Sequence, residues 1–148
     1  MRLSPAAELA IRGVVVLAEH YGDGPTTLNN ICEARDLPKQ YLVKLFSVLA
    51  KADIITAVRG KKGGYVLSRD PKSISLLQVV EAIEGPIALN YCQHVPPKCD
   101  QEGCAIRPMW HELQGIVRQK LGKMTIGVAS DGSHKRGSHG GGSARASC

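Results

Sequence analysis

Apolar positions along the chain fall into blocks with two different periods. Over residues 3–20, Ala, Leu, Ile and Val run almost continuously, interrupted chiefly by Glu8, Arg12 and Glu19. That length and alanine content predict a helix buried on more than one side. Tyr21-Gly22-Asp23-Gly24-Pro25 carries turn chemistry and ends it. In residues 26–35, Thr26 or Thr27 caps a short helix that buries Leu28, Ile31 and Cys32. Asp36-Leu37-Pro38 reads as a turn whose proline suits the first position of the next helix. Tyr41, Leu42, Leu45, Phe46 and Leu49 then recur at spacings of three and four, which predicts an amphipathic helix to about Ala50.

After this the period shortens. Residues 54–58 and 65–67 are strand-like, and Arg59-Gly60-Lys61-Lys62-Gly63-Gly64 lies between them. Glycines at both ends allow a tight hairpin with three cations at its tip. Residues 73–84 return to helical spacing through Ile74, Leu76, Leu77, Val79, Val80 and Ile83, and Gly85-Pro86 stops that helix. Residues 87–103 form a loop rich in Pro, Cys and charge. A longer amphipathic helix covers 105–121, with Ile106, Met109, Trp110, Leu113, Ile116, Val117 and Leu121. Beyond Ser130 the sequence is Gly, Ser, His, Lys and Arg without periodicity, which predicts disorder.

Two short helices joined by a tight turn, the second presenting Lys39, Gln40 and Lys44 outward, make a helix-turn-helix. A basic hairpin directly behind it makes a wing. The fold expected is therefore mainly α with a small β-hairpin wing, organised as four segments. Residues 1–84 form a winged helix-turn-helix domain and 85–104 a cysteine-rich loop. Residues 105–128 form a dimerisation helix region, and 129–148 a disordered tail.

Charge sharpens this picture. The 148 residues carry a formal net charge of +6. Residues 33–62 hold a net +4 and residues 129–148 a net +2, while the remainder nearly cancels. A local excess over the turn, second helix and hairpin fits contact with a polyanion. Aromatic residues make up only 4%, with one Trp and one Phe. That argues against single-stranded nucleic-acid readers, which need several rings to stack on bases. No apolar run approaches the roughly 20 residues of a membrane span, and the N-terminus lacks a signal-peptide apolar core. A soluble, cytoplasmic protein is expected.

Five cysteines are present, three of them within residues 92–104. In a reducing compartment that crowding reads as metal or redox chemistry rather than a disulfide framework. Thiolates are soft ligands, so Cys92, Cys99 and Cys104 suit a cluster or a zinc ion, with His94 or His111 as a fourth zinc ligand. Thiol sensing is the alternative without metal. Cys32 falls at a core-facing position, where a small buried thiol is the ordinary explanation. No Cys-x-x-Cys pair, phosphate-cradling glycine loop or Ser/His/Asp set suggests an enzyme.

Several motifs together resemble the Rrf2 family of bacterial winged-helix transcriptional regulators, which includes iron–sulfur and nitric-oxide sensors. They are the opening MRLS, Leu28-Asn29-Asn30-Ile31-Cys32, Tyr41-Leu42-Val43-Lys44-Leu45-Phe46, and Arg59-Gly60-Lys61-Lys62-Gly63-Gly64-Tyr65. The segment from Ile74 to Gly85 and the three-cysteine loop, with Arg107 and Trp110 after it, complete the match over residues 1–128. The resemblance implies a homodimer on a roughly palindromic double-stranded operator, with no membrane and no small-molecule substrate. It implies DNA contacts from Thr27, Lys39, Gln40, Tyr41, Lys44, Arg59, Lys61 and Lys62, Arg59 in the minor groove. It also implies a 2Fe–2S or 4Fe–4S cluster on Cys92, Cys99 and Cys104, sensing redox state, nitric oxide or iron–sulfur status. Glu8 of the partner subunit is the expected fourth ligand, against the plainer reading of an ion pair to Arg12 one turn on. Arg107 stands where some relatives carry a histidine ligand. Val43 stands where some carry a polar base reader.

Overall fold

The computed structural model describes residues 3–134. Helix α1 (Pro5–Glu19) starts where the sequence supplies both a cap and a fixed φ. The Ser4 hydroxyl accepts from the Ala7 amide at 3.2 Å, and Pro5 opens the first turn. Ala7, Ala10, Gly13, Val14, Val16, Leu17 and Ala18 are buried, so more than one side of the helix faces the core.

Helix α2 (Leu28–Arg35) is capped by Thr27, and α3 (Lys39–Lys51) follows across a three-residue turn. Asp36 takes a left-handed conformation there (φ 51°, ψ 55°), and Leu37 is buried beneath the turn. Pro38 stands one place before the first helical position, as the N-cap. Its carbonyl accepts from the Tyr41 and Leu42 amides at 3.2 and 3.0 Å.

Strands β1 (Ile55–Val58) and β2 (Gly64–Leu67) pair antiparallel, with Ile55 opposite Leu67 and Val58 opposite Gly64. Thr26 adds a third partner. Its amide donates to Tyr65 O at 3.0 Å, and its carbonyl accepts from Tyr65 N at 2.9 Å. The approach requires glycine at position 64, because a Cβ there would lie 2.3 Å from the Thr26 carbonyl oxygen. The wing is thus tied to the start of α2 as well as to its own partner strand.

Phe46 organises the core. It is fully buried, its ring stands edge-to-face on Tyr65 (4.9 Å, 79°), and Gly13 of α1 lies beneath it. A Cβ on Gly13 would sit 2.8 Å from Phe46 Cε1. Helix α1, the inner face of α3 and the root of the wing therefore meet at one ring.

Helix α4 (Leu76–Glu84) begins later than the spacing of apolar residues suggests. Pro71–Ser73 form a separate 3₁₀ turn capped by Asp70, and Ser75 then makes a capping box with Gln78. Helix α5 (Arg107–Lys123) follows the cysteine loop.

One expectation is overturned. The tail assigned to disorder from residue 129 begins as helix α6 (Ile126–His134). Ile126 is fully buried, its amide donates to Ile74 O at 2.9 Å, and Met124 O accepts from Leu76 N at 2.8 Å. Tertiary burial of Ile126, Gly127 and Ser130 stabilises a helix too rich in glycine and serine to announce itself by periodicity. The remainder of that tail, residues 135–148, lies outside the described residues. Among those described, no helix is long and apolar enough to cross a membrane.

Candidate nucleic-acid interface and cysteine cleft

Two groups of basic residues behave differently. Arg12, Arg35 and Arg118 are each engaged, by Glu8, Glu19 and Glu81 respectively. Lys39, Lys44, Arg59, Lys61 and Lys62 are all exposed, and none makes an ion pair among the described residues. They fall on the first turns of α3 and on the wing tip. Exposed cations with no internal partner are free to neutralise phosphate.

Gln40 and Tyr41 are exposed on the same first turns of α3. No side chain caps that helix and no acidic residue lies in its first turn, so its positive end meets solvent bare. Between α3 and the wing runs a cleft of about 480 Å³, lined by Val43, Ser47, Lys51, Ala57 and Tyr65 among others. Val43 is 43% exposed there. Thr27 is exposed too, but its hydroxyl is occupied in accepting from Asn30 N at 3.2 Å, so it fixes the start of α2. Gly60 holds φ +117°, and Gly63 N donates to Gly60 O at 3.0 Å, which closes the tip that carries Lys61 and Lys62.

Cys32 sits inside the helix-turn-helix, buried as expected. Burial pushes its thiol above the ordinary value; Lys39 opposes this and Glu33 adds to it. The neutral thiol is a core side chain.

The cysteine loop is held at its edges. Glu81 of α4 accepts from the Ile87 amide at 3.1 Å and binds Arg118 of α5. Leu89 N donates to Gln114 Oε1 at 3.1 Å, and Arg107 Nη2 donates to Gln101 O at 2.7 Å. Between these ties Cys92, Cys99 and Cys104, all half-buried free thiols, line one cleft of about 290 Å³ together with Trp110. The structure brings the three cysteines together around this space without packing them into a closed set. Among the described residues no group of three or more His, Cys, Asp and Glu side chains lies close enough to hold a metal ion. Cys92, His94 and His111 line an adjoining cleft.

Glu8 is not part of either cleft. It is exposed on α1 and paired with Arg12 of the same helix. Gln93, which the sequence did not single out, is buried, and its side-chain amide donates to Cys92 Sγ at 3.3 Å. Trp110, one of the apolar positions of the 105–121 helix, lines the cysteine cleft. Three free thiols facing one space, one already accepting a hydrogen bond, form a donor set whose chemistry fits a thiolate-ligated group.

One exposed stripe along α5 and its N-cap is apolar. Ile106, Met109, Leu113 and Ile116 are all 40% exposed or more, at helical spacing, and no residue of the helix is fully buried.

Comparison with known proteins adds a family and a fold. The Rrf2 family, described as "Iron-dependent Transcriptional regulator", matches residues 3–130. The transcriptional regulator IscR of Photobacterium profundum is 32% identical over 130 residues, covering 86% of this chain and 74% of the relative. The solved structure of CymR, the global cysteine regulator of B. subtilis, superposes with a TM-score of 0.77 at 28% identity, covering 88% of this chain and 97% of that one. The structure of T. potens IscR gives 0.74 at 25% identity, covering 95% and 94%.

Proposed function

Because the chain belongs to the Rrf2 family of transcriptional regulators, we propose that it binds a roughly palindromic operator as a homodimer and that an iron–sulfur cluster on Cys92, Cys99 and Cys104 sets its operator affinity. The observation that carries the DNA half is that Lys39, Lys44, Arg59, Lys61 and Lys62, all exposed and without an ion pair among the described residues, fall together on α3 and the wing. Lys39, Gln40 and Lys44 enter the major groove, where Gln40 pairs with adenine and the lysines meet guanine or phosphate. Arg59 reaches the minor groove, and Lys61 and Lys62 contact phosphate. The apolar stripe on α5 supports the homodimer, since it offers a second copy an interface at helical spacing.

The switch half rests on placement. The cysteine loop is bonded to α4 on one side and to α5 on the other, so a change in the loop alters how α5 meets the reading head. When bound, such a cluster supplies one-electron redox chemistry and iron reactive towards oxygen or nitric oxide. Glu8 of the partner subunit would hold the fourth position once released from Arg12. A second reading, control by thiol oxidation without a cluster, is favoured by the open arrangement of the three thiols and by the likeness to CymR.

The test uses the full chain, purified without oxygen. Brown colour with stoichiometric iron and sulfide is expected. A duplex selected from a random-sequence pool is then titrated by fluorescence anisotropy against holo and cluster-free protein. Unequal affinities support the proposal; equal affinities overturn cluster control, and a colourless preparation favours the thiol reading. Lys61→Ala and Lys62→Ala should each weaken binding and lower the salt slope by about 1.

A further inference from the structure

Buried hydrogen-bond donors at and beside the cysteine cleft lack partners. The Gln93 amide already donates to Cys92 Sγ at 3.3 Å. The indole Nε1 of Trp110 is buried with no hydrogen-bond partner, although its ring lines the same cleft as the three cysteines. Arg107, whose Nη2 fixes Gln101 O, also has a buried Nε without a partner. An indole N–H can only donate, and a buried donor left unpaired is costly. The side chains that share this cleft with Trp110 include three sulfurs, which become strong acceptors as thiolate ligands.

We propose that Trp110 and Gln93 are positioning residues that donate hydrogen bonds to the ligand sulfurs of the Cys92, Cys99 and Cys104 site and so raise the reduction potential of the group bound there. This rests on the cluster reading above. The physical reason is that a donor aimed at a ligand sulfur withdraws electron density from it and stabilises the more negative, reduced state. The orphaned indole is then a site prepared for a charge that the protein alone does not supply.

The chain contains a single tryptophan, which makes a clean experiment possible. The full-length protein is reconstituted anaerobically with iron and sulfide, and its midpoint potential is read by spectroelectrochemistry. Three forms are compared with wild type: Trp110→Phe, Gln93→Met, and protein in which 5-fluorotryptophan replaces Trp110 biosynthetically. The first two remove a donor and should shift the potential to more negative values. Fluorination strengthens the N–H donor at nearly constant shape and should shift it to more positive values.

If Trp110→Phe loses the cluster through poor packing, the fluorinated protein still decides the matter. Wild-type potential in both the fluorinated protein and Gln93→Met, with iron and sulfide retained, overturns this proposal and leaves the cluster reading standing. Failure of the wild-type chain to take up iron and sulfide overturns both.

Discussion

The reading head and the cysteine loop lie next to each other and are built on different terms. In the head, each element is fixed by residues of this chain. Phe46 meets Gly13 and Tyr65, Thr26 bridges Tyr65, and Ser4, Thr27 and Ser75 cap their helices. In the loop, backbone ties hold the margins, while three thiols stay half-buried and two nearby donors lack partners. The difference teaches where a ligand belongs. Among the described residues the head also keeps one buried donor without a partner, Arg69 Nε, but only in the loop do such donors lie beside three clustered thiols, which is where a further component belongs.

The sharpest way to break that comparison is Phe46→Ala. Loss of the ring at the junction of α1, α3 and the wing should cost about 3–5 kcal/mol in urea denaturation and abolish operator binding. A cost below about 1 kcal/mol would mean that the head is no better determined than the loop. Next in size is Ser75→Ala, which removes one half of the α4 capping box and should cost about 1 kcal/mol.

Smaller still is the joint replacement of Cys92, Cys99 and Cys104 by serine. In cluster-free protein it should leave the unfolding free energy within about 0.5 kcal/mol of wild type while eliminating any visible absorption after reconstitution. A large loss of stability would show the thiols to be structural.

The smallest effect is alkaline and belongs to Cys32. Its folded thiol titrates above the ordinary value of 9.0 because it is buried. Below that pH the thiol is neutral in both states and its contribution is fully present. As pH rises past it, the unfolded chain ionises first and stability falls. Cys32→Ala should flatten the decline between about pH 8 and about pH 10, measured as the difference between the two urea midpoints.

Much of the head was legible because its signals are local. The α3 stripe from Tyr41 to Leu49, the glycine-flanked basic tip and the Gly85-Pro86 stop each depend on residues within a turn or two. What was not legible depends on distant neighbours. Nothing near Gly64 reveals that Thr26 O will lie against it, and nothing near Ile126 reveals that its amide will reach Ile74 O or that Gly127 will lie against Lys72. The α4 boundary slipped because Pro71–Ser73 form a turn of their own, which apolar spacing does not detect. In the loop, cysteine spacing led to the cleft but gave no sign of Gln93 or the unpaired Trp110 nitrogen. Both features arise from burial, which a one-dimensional reading does not resolve. Glu8 shows the reverse: an acidic residue in an apolar helix drew attention, and in this chain its partner is Arg12.

The return of α6 bears on portability. Ile126 is as buried as Phe46, although it follows the wing by some sixty positions, counting from Leu67. A fragment ending after α4 would keep every residue proposed to face DNA and still lack a piece of its own interior. The reading head is therefore not a cassette to be moved onto another sensor by cutting near residue 84. The unit that can be exchanged intact extends through α6, and the cysteine loop is enclosed within it.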